Sequence, residues 1–138
     1  MNIMMLLEMT SGAFPDRPAF TDGSTGQSFT YAELFNAAKR RAATVQANGA
    51  SRLVRLDVSN LGTPLCLFAG AAAGVPYVPL NYRLTDEEIQ ALLTRVTPAY
   101  LVTEPARVET LGFVADVAAI PTVDFVSDEG HTLDPVEV

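Results

Sequence analysis

Between Arg52 and Glu104 the chain alternates segments of two kinds, and this alternation limits the possible folds more than any other feature. The strand-like pieces are RLVRLDV, PYVPL and AYLVTE, and the helix-like pieces between them are TPLCLFAGAAAG and TDEEIQALLTRV. Strands that alternate with helices argue for βαβ units, with a mostly parallel sheet and helices covering it.

The local signals sharpen each element. In RLVRLDV, Val54, Leu56 and Val58 alternate with Arg55 and Asp57, which predicts a strand with one wet or polar-packed face. Pro64 suits the first turn of the helix that follows, and the small residues Gly70 and Gly74 let another element approach closely. Tyr77 and Val78 point to opposite faces of the next short strand. Thr85 caps a further helix and Glu88 completes its capping box; Ile89, Leu92, Leu93 and Val96 form the apolar stripe, and Pro98 stops it. AYLVTE reads as a buried strand, Pro105 opens a short helix, and TVDFV (Thr122–Val126) reads as the last strand.

Upstream, RPAFTDGSTGQSFTYAEL reads as a strand, a turn at Asp22–Gly26 and a second strand. Thr30 and Glu33 then have the spacing of a capping box. Leu34, Ala37, Ala38, Ala42 and Val45 recur at helical spacing up to Gly49, with Lys39, Arg40 and Arg41 toward solvent. Ile3, Leu6 and Leu7 share one face of a first amphipathic helix. The expected fold class is therefore α/β, with an N-terminal β-hairpin ahead of the βαβ units.

Composition removes several function classes. A chain of 138 residues fits one domain. The lone Cys66 excludes an internal disulfide, no metal-ligand spacing occurs, and a reducing, cytoplasmic setting is the expectation. The opening MNIMMLLEMTSG lacks a basic leader, and Glu8 interrupts its short apolar run, so it does not read as a signal peptide. The uncharged window Val58–Tyr82 is divided by Pro64, Pro76 and Pro79, which argues against a membrane span. The net charge of −7 is uneven: residues 1–103 balance eight acids against eight bases, whereas residues 104–138 hold eight acids and only Arg107. That acidic boundary segment, which also holds His131, repels nucleic acid and anionic lipid.

Motifs for chemistry are sparse. No G-x-G-x-x-G follows a strand, and there is no G-x-x-x-x-G-K-[ST]. DGSTGQ has phosphate-loop residues but no nearby lysine and no helix start directly after Gly26, so it reads as a hairpin turn. Cys66 lies in an apolar helix and reads as a small buried hydrophobe rather than the nucleophile of a pair with His131. Asp86, Glu87 and Glu88 suit the positive end of a helix dipole, which accounts for them without a metal. These residues supply neither a catalytic group nor a cofactor or metal ligand.

Two segments resemble one family. FTYAEL (Phe29–Leu34) is similar to the first core motif of the adenylate-forming enzymes, and GAAAGVPYVPLNYRLTDEEI (Gly70–Ile89) resembles their second. The resemblance runs from about Phe14 to Glu104, and Thr30, Tyr31, Glu33, Leu34, Gly74, Tyr77, Pro79, Leu80 and Asn81 carry it. It implies the N-terminal portion of an AMP-forming acyl-CoA synthetase, fatty-acid-CoA-ligase-like. Such an enzyme activates a carboxylic acid with ATP and Mg²⁺ and passes the acyl group to CoA. Two rivals are a carrier-protein-dependent adenylation domain and a non-catalytic interaction domain.

In that family the first two motifs are scaffold, so the resemblance implies structural roles for these nine residues. The phosphate loop and the catalytic lysine come later than residue 138. Residues 1–138 are thus expected to be a partial N-terminal domain, inactive alone, with no ATP, Mg²⁺ or CoA bound. Its partners would be the remainder of the parent enzyme and, in the full-length protein, a small carboxylic acid, with self-association through the truncated surface as a further expectation. One departure stands out: GASRLVRLDV has a shortened approach and a polar strand face, where Arg55 and Asp57 are expected to pair.

Overall fold

The computed structural model describes residues 2–127. Helix α1 (Ile3–Ala13) leads into a hairpin of β1 (Pro18–Thr21) and β2 (Ser28–Thr30), followed by α2 (Tyr31–Asn48). The rest alternates β3 (Arg52–Leu56), α3 (Gly62–Ala73), β4 (Tyr77–Pro79), α4 (Asp86–Leu93), β5 (Ala99–Thr103), α5 (Pro105–Leu111), β6 (Val117–Pro121) and α6 (Thr122–Ser127). The fold class is α/β as expected. Among the described residues, β4, β3, β5 and β6 form a parallel sheet in that spatial order, and β1 pairs with β2 antiparallel.

Successive strand residues point to opposite faces, so each face gathers its own core. Leu53, Tyr100 and Val102 pack with Leu34, Leu65 and Phe125 on the face covered by α2, α3 and α6. Val54, Leu56 and Leu101 pack with Ile89, Leu93 and Leu111 on the face covered by α4 and α5. Tyr77 joins the first cluster and Val78 the second, as their alternation predicts. All five residues of β5 are buried, the signature of an interior parallel strand. Each fully buried leucine stabilises the fold by about 1.5–3 kcal/mol through removal from water.

The caps explain where the helices begin and end. Thr30 Oγ1 accepts from the Glu33 amide at 3.1 Å while Glu33 Oε1 accepts from the Thr30 amide at 2.9 Å, so the first box is reciprocal. Gly74 ends α3 at φ 75, a left-handed conformation that favours glycine. Space is not the reason, since a Cβ there would meet nothing within 4 Å. Gly70 is the close-approach position: its Cβ would lie 3.3 Å from the Val75 carbonyl oxygen.

Five expectations need correction. TVDFV is not a strand: β6 is the preceding Val117–Pro121, and Thr122–Ser127 is α6. Thr122, Phe125 and Val126 turn inward at helical spacing while Val123 is exposed, a pattern that alternation mimics over five residues. Glu88 does not close a reciprocal box, because its carboxylate takes the Thr85 hydroxyl at 3.1 Å instead. Leu6 is exposed although Leu7 is buried. Arg41 is no solvated side chain: its Nε donates to the Phe125 carbonyl at 2.8 Å and its Nη2 to that of Asp124 at 2.5 Å. Finally, β3 ends at Leu56, so Val58 is exposed and Asp57 lies in the loop beyond the strand.

Candidate functional site

In this strand order the chain leaves β3 toward β4 and then crosses back to β5. The carboxyl ends of β3 and β5 therefore flank the point where the connections diverge, the place where open α/β sheets bind ligands. A cavity of about 560 Å³ lies there. Asp57 and Asn60 come from the end of β3, Glu104 from the end of β5 and Thr122 from the start of α6, while Phe29 of the hairpin adds an apolar wall. A second cavity of about 390 Å³ shares Asp22, Asn60 and Leu61 and reaches Tyr77.

The loop after β3 is held by a polar network. Asp57 Oδ1 accepts from the Val58 amide at 2.7 Å, and its Oδ2 accepts from the Thr122 hydroxyl at 2.7 Å and from Asn60 Nδ2 at 3.4 Å. Beneath it lies Arg55, only 6% exposed. Its Nη1 donates to the Asp57 carbonyl at 3.3 Å, and its Nη2 donates to the Val58 carbonyl and to Asn60 Oδ1. Arg55 and Asp57 thus do meet, but through a backbone carbonyl rather than as an ion pair. Among the described residues no carboxylate pairs with Arg55, and its Nε has no hydrogen-bond partner. A buried cation is tolerable here because oxygens take its remaining donors. Asn60 relays this order to α3, where its Oδ1 also accepts from the Gly62 amide at 2.8 Å.

The hairpin turn completes the rim. Asp22 Oδ1 accepts from the Ser24 amide at 2.9 Å and the Ser24 hydroxyl at 2.7 Å, and these bonds hold its carboxyl below the usual range. The hydroxyl of Thr25 likewise accepts from the Gln27 amide. The serine and threonine of DGSTGQ are therefore engaged within the turn. Burial pushes the Tyr77 phenol up, reinforced by Cys66 and opposed by Arg55. Burial also pushes the Cys66 thiol up to about 12, which removes it as a nucleophile at neutral pH. His131, the imagined partner, lies outside the described residues.

The motif residues are not gathered in one place. Thr30 and Glu33 form the cap of α2, Leu34 is fully buried beneath it, and Tyr31 packs against the same core. Leu80 packs on the opposite face, Pro79 is exposed, and Asn81 Oδ1 accepts from the Arg83 amide at 2.9 Å in a turn. Within the two motif segments, Phe29 reaches the first cavity and Tyr77 the second. Sequence reasoning missed Asn60 and Thr122, which carry no motif. It also missed Arg107, whose Nη2 clamps the carbonyls of Tyr82 and Leu84 at 2.9 and 3.0 Å. The acids at the start of α4 are explained in part by the same residue, since Arg107 Nε lies 3.8 Å from Asp86.

This architecture is the one found at the N-terminal end of adenylate-forming enzymes. The chain superposes on the nonribosomal peptide synthetase FmoA3, solved with α-methyl-L-serine-AMP bound, with a TM-score of 0.80 at 17% identity, covering 99% of this chain and 15% of that one. On the N-terminal domain of FACL13 from Mycobacterium tuberculosis the TM-score is 0.74 at 22% identity, covering 100% of this chain and 38% of that one. Residues 7–136 match the AMP-binding enzyme family, and the chain belongs to it. Over 110 residues it is 31% identical to 4-coumarate–CoA ligase 3 of Oryza sativa subsp. japonica, covering 78% of this chain and 20% of the relative. The chain thus spans about a fifth of that relative's length.

The first cavity does not fit the ATP that this family's chemistry consumes. Phosphate groups call for cationic side chains and converging N–H donors. The charged side chains lining the cavity among the described residues are Asp22, Asp57 and Glu104, all acidic. Nor do the described residues contain a group of three His, Cys, Asp or Glu side chains able to hold a metal ion. No helix among them is long and apolar enough to cross a membrane.

Proposed function

We propose that this chain is the N-terminal part of a cytoplasmic, ATP-dependent acid–thiol ligase. The parent enzyme activates a carboxylic acid, of the fatty-acid type, as its acyl-adenylate with ATP and Mg²⁺ and transfers the acyl group to CoA. The observation that carries this reading is the 31% identity to a CoA ligase across 78% of the chain. The nine motif residues serve as scaffold, since they build a helix cap, a helix end and the outer strand β4 with its following turn rather than one shared site. Residues 104–138 form the acidic boundary of this partial domain.

The 138 residues by themselves do not adenylate. They hold no Ser/Thr/Gly loop with a lysine, and the crevice presents carboxylates where a triphosphate needs cations. An ATP–pyrophosphate exchange assay on the purified chain, run with carboxylic acids of graded chain length, is expected to stay at background. Acid-dependent exchange overturns the proposal. The coding sequence beyond Val138 tests the parent activity, which requires a Ser/Thr/Gly-rich loop with a lysine.

A second reading, a carrier-protein-dependent adenylation domain, is favoured by the TM-score of 0.80 to a nonribosomal peptide synthetase. Loading of a carrier protein, rather than of CoA, by the full-length enzyme would decide for it. The exposed Phe113 and Val123 support self-association of the isolated chain, which light scattering across a concentration series measures.

A further inference from the structure

Helix α1 is apolar on both sides, and only its inner side is covered. Leu7 turns inward and is buried, and Met4 packs with it against the core that α2 and α3 share. On the outer side Met5, Leu6 and Met9 are 52%, 51% and 69% exposed, and Glu8 is the single charged residue of the helix. A helix that is hydrophobic all round belongs in a buried setting. Its position is fixed: Asn2 Oδ1 accepts from the Met4 amide at 2.8 Å, while Asn2 Nδ2 donates to the Ala71 carbonyl of α3 at 2.9 Å. Beside this ridge runs a groove of about 290 Å³ between α1, β1 and α3. Leu6, Phe20 and Leu67 form its exposed walls, and no residue lining it is charged.

We propose that this ridge and groove are the docking surface for a second copy of the chain, in a two-fold dimer. The two features lie side by side on one patch. A two-fold axis can therefore set the Met5–Met9 ridge of each copy into the groove of the other, the self-complementary contact that this symmetry requires. Unbranched methionine side chains adapt to such a groove. Charge favours this occupant. The patch lies within residues 1–103, whose acids and bases cancel, so two copies meet here away from the acidic surplus of 104–138. A membrane surface suits the ridge less well, because α1 carries no lysine or arginine to hold headgroups. The area agrees with a weak dimer. Met5, Leu6, Met9, Phe20 and Leu67 each leave roughly half of about 200 Å² open, so two copies together cover about 1,000 Å², the threshold for a specific contact. A contact of that size dissociates on the order of 10–100 μM. It is separate from Phe113 and Val123, and it stands whether or not the parent uses CoA.

Sedimentation equilibrium of the whole 138-residue chain over a concentration series tests it. A monomer–dimer equilibrium is expected. Met9→Glu on the ridge should weaken it by about tenfold or more, since each dimer would then desolvate two carboxylates against apolar walls. Leu67→Glu, across the groove on a different helix, should do the same, whereas Phe113→Ser with Val123→Ser should leave the dimer unchanged. A chain that stays monomeric up to about 1 mM, tenfold above the weakest dissociation constant expected, overturns the proposal. So does a dimer that survives both glutamate variants, or one that the Phe113→Ser/Val123→Ser pair abolishes. Neutral phosphatidylcholine vesicles supply the last arm: a monomeric chain that binds them through Met9 assigns the ridge to lipid and also overturns the proposal. Met9 and Leu67 are both exposed, so the variants should melt with the unaltered chain; should one fail to fold, the other decides.

Discussion

The two faces of the sheet are built on the same plan but closed with different strength. On one side α2 runs 18 residues, buries seven of them, and begins at a reciprocal capping box. On the other side α4 has eight residues, buries Ile89 and Leu93, and begins at a threonine whose glutamate partner bonds the hydroxyl rather than the backbone. Both starts read Thr-x-x-Glu in the sequence. What separates them is surroundings: the first box is half-buried, where an unmade bond is costly, and the second is exposed, where water substitutes. A cap motif specifies which groups can meet, and burial decides whether they must.

The sharpest way to break this comparison is to truncate one leucine on each side. Leu34→Ala empties a fully buried position under α2 and is expected to cost about 3 kcal/mol, whereas Leu92→Ala at the half-buried edge of α4 costs about 1 kcal/mol. Denaturant unfolding of both measures the difference, and equal losses would refute the asymmetry.

Alkaline pH probes the α3 side next, because Cys66, Tyr77 and Tyr100 all pack there and burial raises all three. For Cys66 the unfolded thiol releases its proton above the ordinary value of 9.0, while the folded thiol retains its own up to about 12. Its contribution is thus complete below pH 9 and declines as pH rises toward 12. At about 1.4 kcal/mol per pH unit, stability falls by about 2 kcal/mol by about pH 10.5. Cys66→Ala should flatten this decline, read from urea midpoints across the range, and an unchanged slope would exclude the thiol as its source.

The caps themselves come third. Thr30→Ala is expected to cost about 1–2 kcal/mol and Thr85→Ala about 0.5 kcal/mol, in line with complete and partial capping. Calorimetric melting of the two variants would show the gap. Smallest is Asp86→Asn, which removes a partly exposed partner of Arg107 and should cost at most about 0.5 kcal/mol, with the loss fading as salt is added.

Much of the architecture was legible because its signals are local. Thr30 with Glu33, Gly49, Gly74 and Pro105 mark element ends, and the alternation of Leu53, Val54, Leu56 and Val102, Leu101 marks a sheet covered on both faces. The end of the chain was misread for a physical reason. In VAAIP the β-branched Val117 and Ile120 are diluted by two alanines and a proline, which leaves a weak strand signal, and register with β5 makes it one. TVDFV is richer in β-branched and aromatic residues, yet Phe125 must reach the core beneath α2, and one helical turn places it there. The crevice was the least legible part. Asp57, Asn60, Glu104 and Thr122 are ordinary residues far apart in sequence, and only the strand order brings them to one rim.

The order β4, β3, β5, β6 also has a consequence in time. β3 is synthesised before the other strands of its sheet but ends in the interior, with its second neighbour supplied only when Ala99–Thr103 appear. A growing chain can dock α2 on α3 early, through local contacts, while one edge of β3 stays open. At about 5–20 residues per second, the stretch from Pro79 to Thr103 takes the ribosome about one to five seconds. During that interval the backbone groups of Leu53 to Leu56 that later bind β5 have no strand to receive them. A nascent chain paused in this stretch is the form expected to need a chaperone, and synonymous codon changes that slow translation there should lower the soluble yield without altering a single residue.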